Sequence, residues 1–306
     1  MVKHAFVWWC LTHQGLSDAQ ILDAGQHAGF EGVEMVPEHL WGEVKQRGLT
    51  MVSTQAHGSI ESGMNDPTQH NRIIAETCTM LEKAVKWNIP NLICFSGSRG
   101  TRSDREGIKQ TSEVLWKLAS LAEQAKVTLV LELLNSKIDH PDYQCDRTDF
   151  AVACVEPIRS ERIKVLYDAY HMQIMEGDLI RTIRANHRYI GHYHIAGNPG
   201  RNEPDDSQEI NHPAVMQAIA DTGYEGFVGH EYIPTGPIAA ALKASRTQLH
   251  VTPSVKATIE RSIRPGALDP IAPPAAAPAA APAAEPTTTS DATVDATSPA
   301  TEPAAE

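Results

Sequence analysis

The chain has 306 residues and a net charge of −12, and its last 42 residues hold six acids and no base, so half of that charge belongs to the tail. From Pro265 to Glu306 it is built almost wholly of Ala, Pro, Thr and Ser with no Lys, Arg, His, Cys or aromatic residue, too little apolar surface to offset the entropy of ordering it. This predicts a disordered acidic extension over 265–306 that adds nothing to catalysis, and a folded domain over 1–264 whose mild acidity and lack of a Lys/Arg cluster exclude a nucleic-acid partner.

Along that domain, short β-rich runs alternate with longer segments of helical periodicity. The strand candidates in chain order are HAFVWW from His4, EGVEM from Glu31, TMVSTQ from Thr50, NLICFS from Asn91, VTLVLEL from Val127, IKVLYDAY from Ile163, YIGHYHIA from Tyr189 and GFVGHEY from Gly226. After the first comes SDAQILDAGQHAG, with Ser17 as N-cap and Gly29 as stop. After the third, Asp66-Pro67 opens a helix to Asn88 whose apolar stripe is Ile73, Ile74, Thr77, Leu81, Ala84 and Val85. After the fourth, a helix from about Ser103 to Lys126 carries Ile108, Leu115, Leu118, Leu121 and Ala122 on one face. The near-continuous hydrophobicity of VTLVL and IKVL suits strands covered on both faces. Eight such pairs in about 260 residues predict an α/β fold, a (β/α)8 TIM barrel, with an open doubly wound sheet as the alternative.

Five scattered cysteines without a CxxC pair suggest neither a disulfide framework nor a structural zinc site. Without a leader-like N-terminus or a run of 18 apolar residues, the expectation is a cytoplasmic protein without membrane partners.

In such a barrel the site lies where the strands end at their C-termini. The fifth to eighth strands end in Glu132, Asp168, His194 and Glu231, separated by 36, 26 and 37 residues, each about one βα unit. Singly, an acid there caps the next helix and a histidine packs in the core. Together, three buried carboxylates raise one another's pKa unless a cation neutralises them. Three oxygen donors and one nitrogen favour Mn²⁺ or Mg²⁺ and also accept Co²⁺ or Zn²⁺. No GxGxxG follows a strand, so no dinucleotide cofactor is expected.

The segments ELLNS at Glu132, YDAYHMQ from Tyr167, HYHIAGNPGRNEPD from His192, EIN from Glu209 and GYEGFVGHEY from Gly223 resemble the hydroxypyruvate isomerase branch of the xylose isomerase-like barrel superfamily, a likeness running from His4 to Pro237. The resemblance implies a metal held by Glu132, Asp168, His194 and Glu231. It further implies a small hydroxy-carbonyl substrate, hydroxypyruvate converted to 2-hydroxy-3-oxopropanoate, with Glu132 and Glu231 as catalytic acid and base on either side of an enediolate. It gives His171, in a DxxH spacing after Asp168, the task of contacting substrate or orienting a glutamate, and Arg201 that of contacting substrate; a loop pairing of Arg201 with Glu203 or Asp205 is the alternative. Relatives of this branch often pair, which implies a homo-oligomer. His57 is expected at the same mouth as a substrate contact or a loop support, with Glu34, Trp8 and Asn135 as further lining candidates, and SKIDHPDYQCD after Asn135 as a lid or a rigid surface loop. Members of the branch usually carry Gln where this chain has His194, the choice of ketose 3-epimerases, so an epimerase acting on a sugar is the rival reading. A metal-dependent endonuclease, which needs more histidines and a basic face, and a non-catalytic sugar-binding barrel stand further off.

Overall fold

All eight runs become strands: β1 (Lys3–Val7), β2 (Gly32–Glu34), β3 (Thr50–Gln55), β4 (Asn91–Cys94), β5 (Thr128–Glu132), β6 (Ile163–Asp168), β7 (Ile190–Ile195) and β8 (Phe227–His230). Each pairs in parallel with its neighbours in sequence, and β8 closes on β1 through Lys3↔Phe227 and Phe6↔His230, giving a closed barrel. This is the predicted TIM barrel. The coordinates are a computed structural model that describes Met1–Thr252 and Ser254. The expected tail from Pro265, and the end of the expected folded domain from Val255, lie outside the described residues. Among the described residues no helix is long and apolar enough to cross a membrane.

The helices among the described residues are α1 (Asp18–His27), α2 (Trp41–Gln46), α3 (His70–Trp87), α4 (Asp104–Ala125), α5 (Thr148–Val155), α6 (Ala169–Met175), α7 (Leu179–Asn186), α8 (His212–Asp221) and α9 (Ile238–Gln248). Their ends follow local chemistry. Ser17 and Ser103 each form a capping box, with Gln20 and Glu106 respectively. Gly29 follows α1 at φ +88°, where a side chain would be strained.

Long helices bury one stripe against the strands. In α3 the buried residues include Ile73, Thr77, Leu81 and Ala84, and in α4 Leu115, Leu118 and Ala122. A fully buried Leu or Ile contributes roughly 1.5–3 kcal/mol relative to an exposed one, so each stripe fixes its helix firmly on the barrel. Two residues placed on the stripes by periodicity, Val85 and Leu121, lie instead in solvent, at 53% and 42% exposure. Val85 lies one step of about 100° past the buried Ala84 and Leu121 one step before the buried Ala122, which turns each off the buried face.

The first predicted strand is shorter than its β-rich run. After Val7 the chain enters a 3-10 turn over Trp8–Gln14, so the alternation that would place Trp8 and Trp9 on opposite faces ends before either.

Candidate active site

Glu132 is the last residue of β5 and Asp168 the last of β6, while His194 sits one residue before the end of β7 and Glu231 directly follows β8. Register sets Asp168 opposite His194, and Ile195 opposite His230, so the four side chains enter the barrel mouth at one level. Each offers one ligand atom, and all these atoms lie within 4.8 Å of one another. The His194 Nδ1 atom is 3.2 Å from Glu231 Oε2 and 3.4 Å from Glu132 Oε1. Asp168 does both tasks open to a strand-end acid. Its Oδ1 accepts the Tyr170 backbone N–H at 2.8 Å and so caps α6, while Oδ2 is buried without a hydrogen-bond partner.

An orphaned carboxylate oxygen in a closed site is costly. Burial, with the Glu231 charge added, raises Asp168 to about 7. Burial likewise raises Glu132, against the opposing hydrogen bond from His194. Burial works in the same direction on Glu231, but the Arg201 and His194 charges overcome it and hold this carboxyl well below the usual range. For His194 burial favours the neutral ring, yet the Glu231 and Glu34 charges override it and hold the imidazolium. The cluster thus gathers protons and a guanidinium to offset its own negative charge. A divalent cation would supply that charge in their place, and the partnerless Asp168 oxygen, two further carboxylates and one imidazole nitrogen fit such an ion.

Behind the cluster stands a layer that strand-end reasoning does not single out. The Glu34 carboxylate is fully buried; its Oε2 lies 2.9 Å from His192 Nε2 and 3.1 Å from His194 Nε2, and accepts a hydrogen bond from Ser53 Oγ. His194 therefore keeps a proton on Nε2 toward Glu34 and turns Nδ1 to the four-residue cluster, an arrangement that orients a metal-binding histidine. Gly229 makes room for it, since a Cβ there would lie 2.3 Å from Glu34 Oε1 and 2.6 Å from His194 Cδ2. Glu34 is thus a support beneath the site rather than part of the cavity wall.

A cavity of about 840 Å³ opens above the cluster, lined by Glu132, Glu231, Arg201, His57, His140 and Trp9 among others. Arg201 pairs with neither loop acid considered for it. Its Nη2 donates to Glu231 Oε2 at 2.8 Å, and the guanidinium lies over the rings of Trp9 and Tyr170 at 5.5 and 5.3 Å. Glu203 accepts from Thr235, and Asp205 from Ser207, so both acids are engaged in holding loops.

His57 Nε2 accepts the Phe95 backbone N–H at 3.1 Å, and burial lowers its pKa to about 4, so the ring on the cavity wall is neutral at neutral pH. His171 is fully buried beside Asp168, its Nε2 3.7 Å from Asp168 Oδ2, beyond hydrogen-bond reach, and its Nδ1 3.2 Å from the Asn135 backbone nitrogen that donates to it. Asn135 is likewise fully buried and fastens the start of the following loop, its Oδ1 accepting from Ile138 and Asp139. Further along, the Tyr143 hydroxyl donates to the Glu132 carbonyl at 2.9 Å and accepts from Ser96. This loop is tied down along its length and contributes His140 to the cavity wall. Of the two tryptophans after β1, Trp9 lines the cavity, while Trp8 has a buried indole nitrogen without a partner. The helical turn after Val7 decides between them, and alternation could not.

Comparison with known proteins places the chain in a family. The family described as the xylose isomerase-like TIM barrel matches residues 22–249. A human protein named "Putative hydroxypyruvate isomerase" is 30% identical over 78% of this chain and 92% of its own length. A 2-oxo-tetronate isomerase of Pectobacterium atrosepticum is 29% identical over 72% of this chain and 89% of its own. Among solved structures, a Brucella melitensis protein described as AP endonuclease, family 2, superposes with a TM-score of 0.72 at 26% identity, covering 79% of this chain and 97% of that one.

Proposed function

Since the chain belongs to the xylose isomerase-like TIM barrel family, and is similar over most of its length to proteins named as isomerases, we propose that it is a metal-dependent isomerase of a small 2-keto-3-hydroxy acid, of the hydroxypyruvate type. It is an enzyme of the isomerase class, and small hydroxy-keto acids are the substrates its named relatives support. The observation that carries the finer reading is the pair of buried glutamates, Glu132 and Glu231, reaching the same imidazole nitrogen from adjacent sides at 3.4 and 3.2 Å.

The ion would be held by Glu132, Asp168, His194 Nδ1 and Glu231, with Mn²⁺ or Mg²⁺ as first choice. When bound, it supplies Lewis acidity that polarises the carbonyl of the substrate and acidifies the neighbouring C–H. The rest is work for the side chains. One glutamate takes the proton from the hydroxyl-bearing carbon, leaving an enediolate, the hydroxyl proton passes to the former carbonyl oxygen, and the other glutamate delivers a proton to the former carbonyl carbon. For hydroxypyruvate this sequence yields 2-hydroxy-3-oxopropanoate. Arg201, folded over Glu231 and backed by two aromatic faces, supplies a fixed cation for a substrate carboxylate. His57 offers a neutral ring on the wall, and His171 accepts from the Asn135 backbone and holds that turn beside Asp168.

Assay of hydroxypyruvate isomerisation with and without added Mn²⁺ or Mg²⁺ tests the reading, and its failure with both ions would sink it. The rival epimerase reading draws on His194, the choice of ketose 3-epimerases; a neutral sugar would need hydroxyl partners where Arg201 offers a fixed cation, and turnover of a ketose in preference to the keto acid would establish it. An endonuclease would need a phosphate-neutralising face, which a chain of net charge −12 does not favour.

A further inference from the structure

The cavity is polarised along its length. At its floor stand Glu132, Glu231 and Arg201; away from the floor its wall is formed by Met35, Val36, Trp41, Ile60, Met80 and Phe95, from the segment after β2, the loop after β3, α3 and the end of β4. At about 840 Å³ it falls in the range of sites that enclose a drug-sized ligand, several times what a three-carbon acid occupies.

Several polar groups on that outer wall are already engaged. The Trp41 indole N–H donates to the Val36 carbonyl at 2.8 Å, which fixes the ring, and Trp87 packs edge-on against it at 5.7 Å. Glu38 accepts from Lys83 at 2.7 Å. Glu76 accepts from Arg72 at 2.9 Å and from the Gly58 backbone at 3.1 Å. The Thr79 hydroxyl donates to the Ala75 carbonyl at 3.1 Å. His57 is fixed by the Phe95 amide, and its neutrality keeps a cation off this wall. With its carboxylates already paired and its rings held rigid, and only Thr54 and Gln55 adding further polar side chains from the end of β3, this wall is mainly apolar and gains most from an apolar ligand group.

We propose that this outer lobe, walled by Met35, Val36, Trp41, Ile60 and Met80, is a subsite for an apolar group of alkyl or aryl character carried on the substrate beyond its reacting carbons. The proposal rests on the isomerase reading and deepens it: the favoured substrates are 3-hydroxy-2-oxo acids R–CH(OH)–CO–COO⁻ with an apolar R. Their isomerisation to R–CO–CH(OH)–COO⁻ moves one hydrogen from carbon to carbon and one from oxygen to oxygen, and needs no co-reactant. The keto-acid head meets the charged floor while R lies in the lobe.

Two measurements on the full chain with Mn²⁺ separate this proposal from the reading beneath it. The first is calorimetric binding of two inert 2-oxo acids, pyruvate and 2-oxo-4-phenylbutanoate. With each buried methylene contributing about fourfold in affinity, the phenyl acid is expected to bind more than tenfold tighter. Thr79→Trp, on an exposed helical position at the rim, and Met80→Trp should each shrink that ratio severalfold by filling the lobe. Equal affinities for the two acids, or a ratio that neither substitution moves, would overturn the proposal. The second measurement is turnover, by solvent deuterium exchange at the reacting carbons, of hydroxypyruvate and 3-hydroxy-2-oxo-4-phenylbutanoate. A higher kcat/KM for the phenyl substrate supports the lobe, and a higher value for hydroxypyruvate counts against it. If neither acid exchanges, the isomerase reading fails, and the binding ratio alone still decides whether the lobe takes apolar groups.

Discussion

The two halves of the barrel mouth are built from different chemistry. Strands β5 to β8 end in Glu132, Asp168, His194 and Glu231, whose ligand atoms crowd within 4.8 Å. The segments after β2 and β3, with α3, line the same cavity with Met35, Trp41, Ile60 and Met80. One half is tense, with buried charges that need a cation or protons; the other is relaxed, with its polar atoms largely paired. On the proposed reading, the contrast puts the proton chemistry and the recognition of the apolar part of the substrate on separate strands, so that one could change without the other.

The largest effects belong to the tense half. Glu132→Gln and Glu231→Gln should each lower kcat for hydroxypyruvate by about 10²–10⁴, the usual worth of a positioned acid or base, as read in steady-state assays with saturating metal. Full turnover in both variants would end the division drawn here, because the carboxylates would then be structural.

Next comes a pH effect from the relaxed half. Burial holds His57 near 4, against 6.5 for a free imidazole. Below 6.5 the unfolded chain takes up a proton that the folded ring refuses, so this contribution to stability is whole above pH 6.5 and is lost as the pH falls toward 4. At roughly 1.4 kcal/mol for each pH unit, the site destabilises the fold by about 3 kcal/mol near pH 4. His212, held near 4 by burial on the opposite side of the barrel, adds a slope of the same sign. Urea midpoints measured from pH 7 to 4 should fall, and less steeply in His57→Gln, whose side-chain oxygen can still accept the Phe95 amide. Parallel slopes in the two proteins would show that the ring is not held neutral.

Removing the support beneath the tense half has a smaller expected effect. Glu34→Gln withdraws the charge that fixes His194, and metal affinity should drop about 10–100-fold, read by chelator competition while the thermal midpoint checks folding. An unchanged affinity in a folded variant would mean that Glu34 only fills the barrel. The smallest effect tests neither half. Ser103→Ala removes the capping box of α4 and should cost about 1 kcal/mol of stability with no change in metal affinity.

The strands, the long helices, the Ser17 cap and the four-residue cluster were all legible in the sequence. Each depends on local pattern: hydrophobic runs, capping residues, and acids that recur once per βα unit at strand ends. Glu34 was visible as a candidate, but its task was not, because it arises from side chains of β2, β3 and β7 that meet inside the barrel. Ser53 and His192 carry no signal of their own; a serine in a strand and the first histidine of HYH gain meaning only when Glu34 Oε2 receives both. Trp9 was missed for Trp8 because alternation was extended past Val7 into a helical turn.

By itself the sequence determined that eight βα units follow one another and that three acids and a histidine end four consecutive strands, since periodicity and spacing are properties of the chain alone; the pairing of β8 with β1 closed the barrel in place of an open sheet. The tertiary structure decided which oxygen of Asp168 caps a helix and which is left open, that Arg201 turns to Glu231 instead of its loop neighbours, and that a wide apolar lobe adjoins the charged floor. Those outcomes depend on register across strands and on packing between segments distant in sequence, where a fraction of an ångström separates a hydrogen bond from an orphaned atom.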